Sequence, residues 1–218
     1  MNNNIGFLFD LDGVLIDSES EYSKIWAQVN KEYPSGIPSL EVIIKGCTLD
    51  KILDDHYPDM EIRSKVIARL YELEKLMKYN YLPGAEKLLK SIKNSPYKMA
   101  LVTSSNDVKM AHLDEELPEL RGMFDFIVTA DLITKSKPDP EGYLLGAAKI
   151  DKEKKNCIVF EDSLQGVKAG QNSGAYVVGI AGTLSADVLA PYADIVIQSL
   201  NEISLDELIN IVRNRNEQ

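Results

Sequence analysis

Four short apolar runs in this chain end abruptly in polar residues: Ile5–Phe9 before Asp10, Met99–Val102 before Thr103-Ser104-Ser105, Phe126–Val128 before Thr129, and Ile158–Phe160 before Glu161-Asp162. Continuous runs of this length, rich in Val and Ile, suit strands covered on both faces of a parallel sheet. Tyr176–Ile180 and Ile195–Ile197 read as further strands. Between them, apolar residues recur at helical spacing: Ala85, Leu88, Leu89 and Ile92, then Tyr143, Leu144, Ala147 and Ala148, then Val167, Ala169 and Gly170 before the stop signal Asn172-Ser173-Gly174. A covering helix is expected over Ser204–Arg213. Strands alternating with helices specify an α/β fold built on a doubly wound parallel sheet.

One region interrupts the alternation. From about Ser18 to Leu82 no strand pattern occurs, whereas Tyr22, Ile25, Trp26 and Val29, and later Ile62, Val66, Leu70 and Leu73, have helical spacing. Turns at Pro34-Ser35-Gly36 and near Pro58 divide these helices, and the alternation resumes at Pro83-Gly84. The expected organisation is an α/β core made of residues 1–17 and 83–218, carrying a small helical domain over 18–82.

Composition narrows the classes further. A chain of 218 residues, 44% of them hydrophobic, can bury a core without disulfide or metal staples. Its two cysteines, Cys47 and Cys157, have no paired-thiol spacing, which points to a reducing, cytoplasmic setting. The apolar run near the start is too short for a signal sequence or a membrane span. A formal charge of −10, with scattered basic residues, argues against a nucleic-acid partner. A monomer is the expectation.

Ligands of open α/β sheets bind beyond the carboxyl ends of the strands, so the polar closures should converge. In Asp10-Leu11-Asp12-Gly13, alternate residues of an extended segment point the same way. Two carboxylates on one site repel unless a cation lies between them or one holds a proton, and such a pair can divide the work of nucleophile and general acid/base. Gly13 allows a close turn beside a ligand. Thr103-Ser104-Ser105 offers hydroxyls and backbone N–H groups ahead of what reads as a helix start, a seat for phosphate oxygens. In Lys135-Ser136-Lys137-Pro138, Lys137 is the one locked by a following proline and is preferred as the charge-balancing cation. Glu161 and Asp162 close the strongest apolar run with oxygens of the kind hard divalent cations take. Taken alone, the first three motifs are better explained as a turn, a helix cap and a solvated surface, and Glu161-Asp162 is as well explained by a helix cap as by ligand binding. Their common order along successive strand ends favours a phosphoryl-transfer site.

With these residues in place, the sequence resembles the haloacid dehalogenase superfamily over nearly its whole length, with Asp10-x-Asp12-Gly13-Val14, Thr103, Lys137 and Glu161-Asp162 as its four motifs. The helical insertion, with Asp17-Ser18 after the first motif, is similar to the branch containing β-phosphoglucomutase and phosphoglycolate phosphatase-like enzymes. The resemblance implies a Rossmann-like core with a helical cap. It implies Asp10 as a nucleophile forming an aspartyl-phosphate and Asp12 as general acid, then base. It implies Mg2+ on Asp10, the Asp12 backbone carbonyl and Asp162, with Glu161 as ligand or support. Thr103, Ser104, Ser105 and Gly13 would surround the phosphoryl group together with Lys137, and Lys45-Gly46-Cys47-Thr48 would be the substrate-specificity segment of the cap.

Two positions depart from the mutases: Leu49 stands where they carry a cap arginine, and Tyr22 where they carry a histidine. Losing a cationic grip on a second phosphate favours hydrolysis of a small phosphorylated metabolite, such as a sugar phosphate. A β-phosphoglucomutase-type isomerase is the alternative. Dehalogenation, which needs neither a second acid nor a metal, and a phospho-accepting signalling module are more distant. The two histidines, His56 and His112, are expected to be bystanders.

Overall fold

The computed structural model describes residues 4–44 and 49–216, which form two compact units, 4–17 with 80–216, and 18–44 with 49–79. Lys45, Gly46, Cys47 and Thr48 lie outside the described residues.

The larger unit is built on six strands: β1 (Gly6–Phe9), β2 (Lys98–Val102), β3 (Phe126–Val128), β4 (Cys157–Glu161), β5 (Tyr176–Ile180) and β6 (Ile195–Ile197). All pair in parallel, in the order β3-β2-β1-β4-β5-β6. This is the doubly wound order whose direction of growth reverses beside the first strand, leaving a crevice at that switch point. Every residue of β1 and β4 is buried, as their apolar runs require, and the burial extends to Glu161 at the end of β4. Register sets Phe9 beside Leu101 on one side and Phe160 on the other, and the Phe9 and Phe160 rings stack 4.3 Å apart.

Helices cover the sheet: α5 (Ala85–Lys93), α6 (Asp107–Glu116), α7 (Pro118–Met123), α8 (Glu141–Lys149), α9 (Leu164–Ser173), α10 (Ala186–Leu189) and α11 (Leu205–Asn216). The buried stripe of α5 is Ala85, Leu88, Leu89 and Ile92, the periodicity that the sequence displays. The expected stop at Gly174 is a left-handed C-cap with φ 81°. Between β2 and β3, Asn106 caps α6 by accepting a hydrogen bond from the Lys109 N–H. The helix therefore starts at Asp107, and Thr103–Ser105 form the loop ahead of it.

The smaller unit contains α1 (Ser18–Glu32), α2 (Leu40–Ile43), α3 (Leu49–His56) and α4 (Met60–Glu74). Ile25, Trp26 and Val29 of α1 are buried, as are Val66, Leu70 and Leu73 of α4. Arg69 clamps Glu32 across α1 and α4 with two hydrogen bonds of 2.8 and 3.0 Å. The chain returns to the larger unit three residues before Pro83. Asp17 N–H donates to Asn80 O at 3.0 Å, Leu82 N–H donates to Leu15 O at 2.9 Å, and Ile16 bridges Tyr81. This short two-stranded stem assigns Asn80, Tyr81 and Leu82 to the α/β unit, a pairing that no periodicity in the intervening helices could reveal.

Candidate active site

Each strand end delivers its polar residue by extending the ladder one step. Asp10 N–H donates to Phe160 O at 3.0 Å, and Thr103 N–H donates to Val128 O at 3.0 Å. Asp10 therefore emerges between the ends of β2 and β4. Its carboxylate accepts a 2.5 Å hydrogen bond from Lys137 Nζ, which also donates to Glu161 Oε1 at 2.6 Å and to Val102 O at 3.2 Å. Lys137 comes from the loop before α8. Lys135, two residues earlier, is exposed and pairs with Asp139 at 3.6 Å.

Glu161 is fully buried and fully engaged. Its Oε1 accepts from Lys137 and, at 2.7 Å, from the Tyr143 hydroxyl of α8. Its Oε2 accepts from the N–H groups of Asp162 and Ser163 and from Ser163 Oγ. Ser163 Oγ in turn caps α9 by accepting from Gly166 N–H at 3.0 Å. A Cβ on Gly166 would lie 1.8 Å from the Glu161 carboxyl carbon, so the helix reaches this close only as glycine.

Asp10, Glu161 and Asp162 bring carboxylate oxygens within 4.8 Å of one another. Three buried acids against one ammonium leave two negative charges to be offset. Burial pushes Asp162 up to about 7, and the Glu161 charge adds to it. Burial likewise pushes Asp10 well up. Lys137 pulls against it, while Glu161 and Asp162 add to the rise. For Lys137, burial acts to lower the ammonium, but the carboxylates of Asp10 and Glu161 outweigh it and hold it above its usual range. Burial, with Glu161 and Asp10 adding to it, holds the Tyr143 hydroxyl well above its ordinary value, so it stays a donor. A divalent cation matches the charge and oxygen chemistry of this cluster.

Asp12 has its own partners. Lys109 Nζ lies 2.8 Å from both of its oxygens, and Ser105 Oγ donates to Oδ2 at 3.2 Å. Thr103, buried beside it, accepts from Ser105 N–H at 3.0 Å, whereas Ser104 is exposed. The first amides of α6 are used within the protein, Asp107 N–H by Asp131 and Lys109 N–H by Asn106. Gly13 has φ +76°, and a Cβ there would fall 1.9 Å from Asp162 Oδ2. Thr183, in the loop after β5, donates a short hydrogen bond to that same oxygen.

The structure thus gathers Asp10, Lys137, Glu161 and Asp162 into one cluster, sets Gly13 against Asp162, and links Asp12 to Ser105 and through it to Thr103. Sequence reasoning missed Lys109, Tyr143, Ser163 and Thr183. Thr183 follows a strand end like the others and carried that signal. Tyr143 was hidden among the apolar positions of a helix.

Within the smaller unit, Tyr22 and Leu49 line one cavity with Trp26 and Ile52. Its charged lining is glutamate, and no arginine or lysine lines it among the described residues. No helix among those residues is long and apolar enough to cross a membrane.

Known proteins resemble this chain over most of its length. Hexitol phosphatase A of Escherichia coli is 28% identical over 210 residues, covering 94% of this chain and 95% of that protein. A probable pseudouridine-5'-phosphatase of Saccharomyces cerevisiae is 34% identical over 190 residues, 79% of this chain and 80% of its own. A solved structure of a haloacid dehalogenase-type hydrolase from Entamoeba histolytica superposes with a TM-score of 0.81 at 23% identity, over 96% of this chain and all of that one. The family model for haloacid dehalogenase-like hydrolases matches residues 7–180. Because that match runs from β1 through β5, and so through each strand end that builds the site, the chain belongs to the haloacid dehalogenase-like hydrolases.

Proposed function

We propose that this enzyme is a Mg2+-dependent phosphatase that hydrolyses a small phosphorylated metabolite, of the sugar or polyol phosphate class, through an aspartyl-phosphate on Asp10. The observation that carries the reading is the Asp10 carboxylate held by Lys137 within a cluster whose buried acids exceed its cations. The side chains of Asp10 and Asp162 and the backbone carbonyl of Asp12 would hold Mg2+, with Glu161 supporting the site through Lys137. When bound, the cation supplies charge neutralisation for the phosphoryl oxygens and the carboxylates around them.

The steps belong to the side chains. An Asp10 oxygen forms a bond to phosphorus as the bond from phosphorus to the leaving oxygen breaks, and protonated Asp12 gives its proton to that oxygen. A water then attacks the phosphorus, Asp12 takes the water's proton, and the bond to Asp10 breaks, releasing inorganic phosphate. Lys137 and Thr103 position the phosphoryl oxygens, and positioning with charge stabilisation accounts for most catalysis of this kind. Asp12 contributes about 10²–10⁴-fold as acid and base.

In this reading the helical unit selects the leaving group, with Lys45–Thr48 as its specificity segment. Leu49 and Tyr22, standing where the mutases carry a cap arginine and a histidine, support hydrolysis over mutase chemistry, since a bisphosphate needs a cationic grip. The enzyme is expected to act as a cytoplasmic monomer. Asp10→Asn, folded as judged by circular dichroism, should reduce hydrolysis of an aryl phosphate to background. Turnover retained in that variant would remove the nucleophile assignment.

A further inference from the structure

The two aspartates of the first motif are separated by a single residue, Leu11, yet they are held by different lysines on different elements. Asp10 is paired with Lys137, from the loop before α8. Asp12 is gripped on both oxygens by Lys109, from the first turn of α6, at 2.8 Å each. Ser105 adds a third hydrogen bond to Asp12 from the loop ahead of α6. Without a second cation, both carboxylates would compete for Lys137.

Lys109 is also in an awkward place for a helix-stabilising residue. It is the third residue after the Asn106 cap. A cation in that first turn opposes the helix dipole, where an acid would be favoured. Its side chain is only 22% exposed, and it crosses 97 positions of sequence to reach its partner. A solvated surface pair would leave it freer and would fix nothing.

We infer that Lys109 is a positioning residue for the acid–base group: it holds the Asp12 carboxylate in one orientation and keeps it apart from the Asp10–Lys137 pair. Lys109 acts through Asp12 and does not touch substrate. The inference rests on the phosphatase reading above, so its test includes controls that separate the two.

Lys109→Met keeps the aliphatic stem and removes the ammonium. On an aryl phosphate, whose good leaving group keeps weak variants measurable, kcat should fall about 10- to 100-fold while KM stays within about threefold. Lys109→Arg, which can also grip both oxygens, should recover most of the loss. In an Asp12→Asn background, adding Lys109→Met should change kcat by less than about twofold, because the interaction it removes is already gone.

Unchanged kcat in Lys109→Met overturns the inference. So does a raised KM at constant kcat, or an equal loss in the Asp12→Asn background, since either assigns Lys109 to substrate. These outcomes leave the phosphatase reading intact as long as the wild type turns over and Asp10→Asn does not. Wild-type protein without turnover on any phosphate monoester sinks both.

Discussion

At the scale of single residues, the site is defined as much by atoms that are missing as by those present. Gly13 and Gly166 lie where a methyl group would occupy the space of Asp162 and Glu161 respectively. Gly166→Ala should displace the Glu161 carboxylate, which orients Lys137 through Oε1. The expected result is a loss of kcat of about 10²-fold or more with the fold retained, read from steady-state kinetics beside a thermal melt. Asp162 shares the pH dependence with Asp10, which burial raises as well. The native pKa of Asp162 is about 7 without a metal, against an ordinary value of 3.8. Between those values the native state keeps a proton that the unfolded chain has lost, so the metal-free protein becomes less stable as pH rises through that window. Above it, this contribution levels off. Asp162→Asn should reduce the slope to the part that Asp10 contributes, leave the chelated protein more stable than wild type above pH 7, and abolish the rise in melting temperature on adding Mg2+. A variant that tracks wild type at every pH would show that the repulsion at Asp162 is relieved some other way.

At the scale of elements, β1 and β4 form the base on which the chemistry stands. The stacked rings of Phe9 and Phe160 lie immediately before Asp10 and Glu161 in the chain, so their packing sets where those acids emerge. Phe160→Ala should cost about 3–5 kcal/mol, measured by urea unfolding. A loss well under 1 kcal/mol would mean that the neighbouring side chains collapse into the space. These strands were readable because burial on both faces leaves an uninterrupted apolar signature. The helices of the smaller unit were readable from their spacing. What these patterns could not show is which residues of a helix reach across to another element. Lys109 sits on α6, whose apolar periodicity is weak, and Tyr143 shares a face of α8 with core residues while its hydroxyl ends on Glu161.

At the scale of the whole molecule, the chain is an α/β unit interrupted once. The stem at Leu15–Asp17 and Asn80–Leu82 brings the two ends of the interruption within one backbone hydrogen bond of each other. Replacing residues 18–79 by a short Gly/Ser linker should therefore leave a protein that unfolds cooperatively, because the sheet and its covering helices lose no strand or covering helix. The same protein should turn over aryl phosphate while losing discrimination across a panel of sugar, polyol and nucleoside phosphates. A chain without a cooperative transition would mean that the α/β unit depends on the inserted helices for its stability.

The sequence alone determined the strands and helices and their alternation along the chain, because burial pattern is a local property: a strand hidden on both faces is apolar along its run, and a helix with one covered face must repeat every three to four residues. It also determined that Asp10, Asp12, Thr103, Lys137, Glu161 and Asp162 stand at strand ends or in the loops that follow them. Only the tertiary structure decided who holds whom: that Glu161 spends its oxygens on Lys137, Tyr143 and the start of α9, that Thr183 restrains Asp162, and that Lys109 and not Lys137 grips Asp12. Such pairings depend on angstrom-scale approach between segments up to 127 residues apart, and no periodicity along the chain encodes that distance.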